Sequence, residues 1–123
     1  YLATVDGKQP RVRSVSPVVA NDMSIWITTF SKSRKVKQIK KNSRVSLYFV
    51  KQPNGDKTAN VIGQAKIISN LKEKKRVWKL AGFDLKQYFP DGPTSKDFCL
   101  LRIIPKKIEW WPNWKIGRKI YQP

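Results

Sequence analysis

Between Thr28 and Lys35 the chain reads Thr-Thr-Phe-Ser-Lys-Ser-Arg-Lys, hydroxyls interleaved with cations at the point where an apolar strand pattern gives way to a helical one. A helix that starts here turns its free backbone N–H groups and the positive end of its dipole toward whatever lies before it. Ser and Thr hydroxyls, Arg34 and Lys35 add donors aimed at the same place, which is chemistry suited to a phosphate group. The same residues also suit a solvated surface helix, with Ser33 as its N-cap and the cations in water.

A second pair of cations bears on that choice. Arg11 and Arg13 alternate with Val12 and Ser14, so on a strand both guanidinium groups leave one face, the face that also carries Val15. If the strand holding them pairs with Met23–Thr29 through the turn at Ala20-Asn21-Asp22, Arg13 comes close to Thr28 and Thr29, and the two segments line one anion site. Other chemistries are closed off. The chain has no histidine, which removes the commonest metal ligand and general base, and one cysteine, which cannot form an internal disulfide. Cys99 lies in the apolar run Phe98–Ile104, reads as a core residue rather than a nucleophile, and points to the cytoplasm. No residue is assigned a catalytic or metal-binding role.

The elements that must position these groups follow from periodicity. Strands are expected over Leu2–Val5, Arg11–Val19, Met23–Thr29, Arg44–Val50 and Thr58–Ser69, with a last one over Phe98–Ile104 continuing after Pro105 into Ile108-Glu109-Trp110-Trp111. Asp6-Gly7 and Pro53-Asn54-Gly55-Asp56 supply turns, and Gly63 inside a strand marks a bulge or a close backbone approach. One helix is expected over Ser33–Lys41, with Val36 and Ile39 as a thin apolar stripe. Another is expected over Leu71–Ala81, with Asn70 as N-cap, Glu73 completing a capping box and Gly82 as the stop. Asp84–Phe89 adds a short helical turn. Many short strands with two short helices indicate a mainly β, α+β domain built on an antiparallel sheet or barrel.

Taken in order, Arg13-Ser14-Val15-Ser16, Ile25-Trp26-Ile27-Thr28-Thr29, Ser33 to Asn42 and Arg44-Val45-Ser46-Leu47-Tyr48-Phe49 resemble the pyridoxamine 5′-phosphate oxidase-related family of FMN-binding split barrels, in its general stress protein 26-like branch. Leu2 to Arg13, Val61-Ile62-Gly63-Gln64-Ala65 and Leu101 to Trp111 extend the resemblance over nearly the whole chain. It implies a six-stranded antiparallel Greek-key split β-barrel with short flanking helices, residues 1–123 forming a single FMN-binding domain. It implies a homodimer with a flavin in a cleft at each end of the interface. By position, Arg13, Ser33, Arg34 and Lys35 would hold the FMN phosphate with Thr29, and the backbone of Val15, Ser16 and Thr28 would lie along the isoalloxazine. Trp110 or Trp111 would reach the flavin of the other subunit. A family glutamine that contacts the flavin falls near Thr58, where this sequence departs. It departs again in lacking the Arg-x-His signature of the true oxidases, so vitamin B6 oxidation is not supported. Electron or hydride transfer at the flavin is the activity implied, with substrate and electron donor unassigned.

Composition keeps a rival in view. With 26 Lys and Arg against 8 Asp and Glu, the net charge is +18 on 123 residues. Lys32, Arg34, Lys35, Lys37, Lys40, Lys41 and Arg44 cluster with no acid among them, an electrostatic footprint that a nucleic-acid-binding β-barrel would share. Yet Trp26, Trp78, Phe49 and Phe98 sit in core-like patterns rather than as stacking platforms. A deazaflavin would use the same phosphate cluster, whereas haem is disfavoured without histidine. No apolar run is long enough to span a membrane. The segment Trp110–Tyr121 is broken by Pro112 and Gly117 and suits packing against a partner subunit better than a membrane surface. The chain opens on Tyr1 rather than Met, so a preceding segment is expected.

Overall fold

Strand alternation in this sequence produces one antiparallel sheet with an apolar inner face. The computed structural model of the chain describes residues 1–123. Its strands are β1 (Leu2–Asp6), β2 (Gln9–Arg13), β3 (Val18–Val19), β4 (Ile25–Phe30), β5 (Arg44–Val50), β6 (Thr58–Ile68), β7 (Phe98–Trp111) and β8 (Lys119–Tyr121). The order is β2-β1-β5-β6-β7-β4-β3, with β8 paired to β7, and the sheet curls into a split barrel. Inward residues from β1, β4, β5, β6 and β7 meet in a cluster of 12 buried side chains that includes Leu2, Ile27, Leu47, Val61, Leu101 and Cys99.

There are eight strands rather than six. The expected strand Arg11–Val19 is divided, because Pro17 has no N–H to give a ladder and residues 14–17 leave the sheet. Its first part, β2, pairs only with β1, placing Arg13 opposite Leu2. Its second part, β3, pairs with β4 through Val18 opposite Trp26 and Val19 opposite Ile25. The expected pairing of the arginine-bearing strand with β4 therefore holds for two residue pairs only. The eighth strand, β8, is three exposed residues without apolar alternation.

Gly63 is the bulge. Ile62 opposes Lys107 and Gly63 opposes Pro105, so Lys106 is the extra residue of β7. A Cβ on Gly63 would stand 2.0 Å from the Ile104 carbonyl oxygen. The bulge also accommodates a proline within a long strand.

Helix α1 (Arg34–Lys41) joins β4 to β5 and sends Val36 and Ile39 into the main core, with Gln38 buried beside them. Ser33 caps it, its Oγ accepting from the Val36 N–H at 3.4 Å. Helix α2 (Leu71–Leu80) lies on the outer face, where Val77 meets Val18, Trp26 and Leu100. Asn70 caps it at 3.1 Å, but the Glu73 carboxylate pairs with Arg76 instead of returning to the cap, so the expected capping box is half formed. The helix ends at an extended Ala81, and Gly82 is not required as a left-handed stop. Short 3-10 turns follow at Leu85–Gln87 and Gly92–Thr94. No helix is long and apolar enough to cross a membrane.

Candidate functional site

The end of β4 and the start of α1 build the site. Thr29 is buried opposite Cys99 on β7, and the chain turns at once into the Ser33 cap. Lys35 folds back so that its Nζ donates to Thr29 Oγ1 at 2.8 Å, and the Thr29 and Ser33 hydroxyls are 3.5 Å apart. The first turn of α1 contains no acid.

Arg13, on β2, bonds to β1 and α1 rather than to Thr28 or Thr29 as expected, because its strand pairs with β1 and not β4; it acts on this group through its charge on Lys35. Its Nη1 donates to the Leu2 carbonyl at 3.2 Å and to Thr4 Oγ1 at 2.7 Å, and its Nη2 donates to Gln38 Oε1 at 2.8 Å. Partial burial lowers the pKa of Lys35, and the nearby Arg13 guanidinium lowers it further. Arg13 is depressed in the same way, first by desolvation and then by Arg11. The ion pairs of the chain lie elsewhere, at Asp6–Arg11, Glu73–Arg76 and Glu109 with Lys107 and Arg118. Two partly buried cations thus face one region with no carboxylate to balance them, an arrangement complementary to an anion.

The other expected residues fall in three places. Thr28 is half-buried on β4, while Val15 packs on the main core from the irregular segment that also holds an exposed Ser16. Arg34 is exposed and faces a polar groove of about 430 Å³ with Lys37, Lys41 and the β1–β2 turn, apart from the Thr29–Lys35 contact. Trp110 lies at the opposite end of β7 from Cys99, on the order of 35 Å away along the strand. It lines an apolar cleft of about 700 Å³ with Phe49, Thr58, Trp111 and Tyr121. Thr58 is 6% exposed and its Oγ1 has no hydrogen-bond partner. None of Arg13, Thr29, Ser33 and Lys35 lines that cleft.

Thr4 and Gln38 are the residues that sequence reasoning missed. Each is a polar residue in an inward phase, Thr4 two positions after Leu2 and Gln38 between Val36 and Ile39. That mismatch was the available signal.

The family model for pyridoxamine 5′-phosphate oxidase matches residues 1–112. The chain belongs to this family. Among solved structures, a protein related to general stress protein 26 from Clostridium acetobutylicum superposes with a TM-score of 0.79 at 19% identity, over 98% of this chain and 82% of that one. General stress protein 26 from Bacillus anthracis str. Sterne gives 0.76 at 17% identity, over 99% and 86%. A heme-binding protein from Mycobacterium smegmatis gives 0.79 at 12% identity, over 98% of this chain and 51% of that one. These likenesses establish the pyridoxamine 5′-phosphate oxidase-like fold. No curated protein matches the chain.

Proposed function

We propose that this chain is an FMN-binding flavoprotein of the cytoplasm, an oxidoreductase whose two flavin sites form across a homodimer interface. The observation that carries the reading is that Lys35 sits on Thr29 at the capped start of α1 and feels the charge of Arg13, both cations partly buried and neither matched to a carboxylate. That donor set fits a phosphate. Arg13, Lys35, Thr29 and Ser33 hold it, the backbone of Val15, Ser16 and Thr28 borders the ring, and Arg34 adds charge from the adjoining groove. A flavin held there would supply hydride or electron transfer at its ring, with small molecules as donor and acceptor. This chain contributes binding, orientation and exclusion of water.

The position of the remaining parts supports a dimer. An apolar cleft with Trp110 and an unpartnered Thr58 hydroxyl stands at the far end of β7 from the cations. Trp114, Ile116, Ile120 and Tyr121 beyond it are 48–64% exposed. An apolar surface of this kind is commonly covered by a partner. A second copy covers it, and its Trp110 and Thr58 face the flavin held by the first copy's cations. The lack of histidine leaves vitamin B6 oxidation unsupported and disfavours haem, since the one thiol, Cys99, is closed in the core. A deazaflavin cofactor is the alternative within the same site.

Nucleic acid is the second reading, and one observation favours it. Lys66 stands directly opposite Arg102 on the β6–β7 ladder, a like-charge pair in which neither residue makes an ion pair. Binding to DNA that survives physiological salt would support it, and a steep loss with salt would mark simple charge attraction.

Calorimetric titration with FMN tests the flavin reading. Replacing Arg13 and Lys35 together by Ala is expected to weaken binding about a hundredfold or more, because each charge-assisted hydrogen bond contributes about 1.5–3 kcal/mol. Unchanged affinity would contradict the proposed site.

A further inference from the structure

Arg13 is gripped by the protein through Nη1 and Nη2, and its Nε has no partner within the chain. Its Nη1 donates twice, to the Leu2 carbonyl and to Thr4 Oγ1, and its Nη2 donates once, to Gln38 Oε1. Thr4 Oγ1 in turn donates to the same Gln38 Oε1 at 2.6 Å, which closes a triangle of three side chains. Thr4 and Gln38 are 2% and 8% exposed, so two corners of the triangle are buried, while Arg13 itself is only partly buried.

A guanidinium carries five N–H donors in a fixed plane. Three are used inside the protein. The two that remain, Nε–H and the second Nη2–H, run parallel on the Nε–Nη2 side, and such a fork matches two oxygens of one phosphate. The acceptors that hold the first three donors are neutral, a hydroxyl, an amide and a carbonyl. A carboxylate at position 38 would hold the guanidinium equally well but would cancel its charge. Thr4 and Gln38 therefore fix the orientation of Arg13 and leave its charge for a ligand.

We propose that Thr4 and Gln38 are positioning residues: by accepting from Nη1 and Nη2 of Arg13 they present its Nε–Nη2 edge to a phosphomonoester, making this site select a phosphorylated ligand over its uncharged, dephosphorylated analogue. For FMN the proposal rests on the flavin reading above, whereas for phosphate as a class it does not.

The test compares FMN with riboflavin, which has the same ring and no phosphate. In Gln38→Leu and Gln38→Glu, FMN affinity is expected to fall about tenfold or more while riboflavin affinity stays at the wild-type value. Gln38→Glu is the sharper variant, since it keeps an acceptor for Arg13 and removes only the net charge. Thr4→Val is expected to behave like Gln38→Leu, and Thr4→Ser, which keeps the hydroxyl, to restore the wild-type ratio; these two serve if the Gln38 variants do not fold. Parallel losses for FMN and riboflavin, or no loss for either, would overturn the proposal. If the wild-type protein binds no FMN, the flavin reading fails, and inorganic phosphate becomes the probe. Thermal stabilisation by phosphate that Gln38→Glu abolishes would then support the positioning role, and its absence in the wild type would overturn it.

Discussion

Lys35 is charged at a cost. Burial disfavours its ammonium first and Arg13 disfavours it second, so its folded-state pKa lies below that of an ordinary lysine. In the alkaline interval between the folded and unfolded values, the unfolded chain carries the extra proton, so Lys35 makes stability rise with pH there. An anion beside the ammonium reverses the shift and favours the proton. FMN affinity should therefore fall as pH rises through that interval, and binding there should be accompanied by proton uptake. Titrations in buffers of different ionisation enthalpy check this, and Lys35→Met should abolish both effects. The sequence showed these cations because Thr29, Ser33 and Lys35 are neighbours in the chain. It did not show Thr4 and Gln38 as partners, because they meet only when α1 packs beside β1 and they are 34 residues apart. Proximity in the chain likewise groups Arg34 with Lys35, yet successive helical residues point about 100° apart, and the structure turns Arg34 into the neighbouring groove.

At the level of elements, the β6–β7 ladder depends on Gly63. Its missing Cβ is the space occupied by the Ile104 carbonyl, 2.0 Å from where that atom would be. Gly63→Ala should cost about 3 kcal/mol or more, because backbone on both strands would have to move. Urea unfolding measures it, and near-wild-type stability would contradict the bulge as described. This bulge was legible, since a glycine inside a long apolar strand has few other uses. The strands β5 and β6 were equally plain, with Val45, Leu47, Val61 and Ala65 buried at every second position. The break between β2 and β3 was harder to read. Pro17 marked it, but only the topology shows that the chain crosses there from one end of the strand order to the other. The short strand β8 carries no periodic signal at all, because all three of its residues are exposed and its pairing is decided by β7.

At the scale of the whole molecule, a net charge of +18 raises the local concentration of anions around the chain without specifying which anion is bound. Specificity has to come from the few cations that are partly buried and lack a carboxylate partner; Arg13 and Lys35 are two such cations that lie close enough to shift one another, whereas Lys74 donates to the Phe98 carbonyl. The apolar cleft at Trp110 and the exposed Trp114, Ile116, Ile120 and Tyr121 beyond it form the surface that the proposed second copy would cover. Analytical ultracentrifugation is expected to give about twice the chain mass. Replacing Trp110 and Tyr121 by charged residues should return the mass to that of one chain and weaken flavin binding with it. A monomeric wild-type protein would contradict the shared site. Whether this chain holds a flavin is read most directly from a visible absorption spectrum of the protein mixed with FMN and then freed of excess by gel filtration. A flavin spectrum retained at close to one FMN per chain is expected; a protein that emerges colourless would overturn the flavin reading.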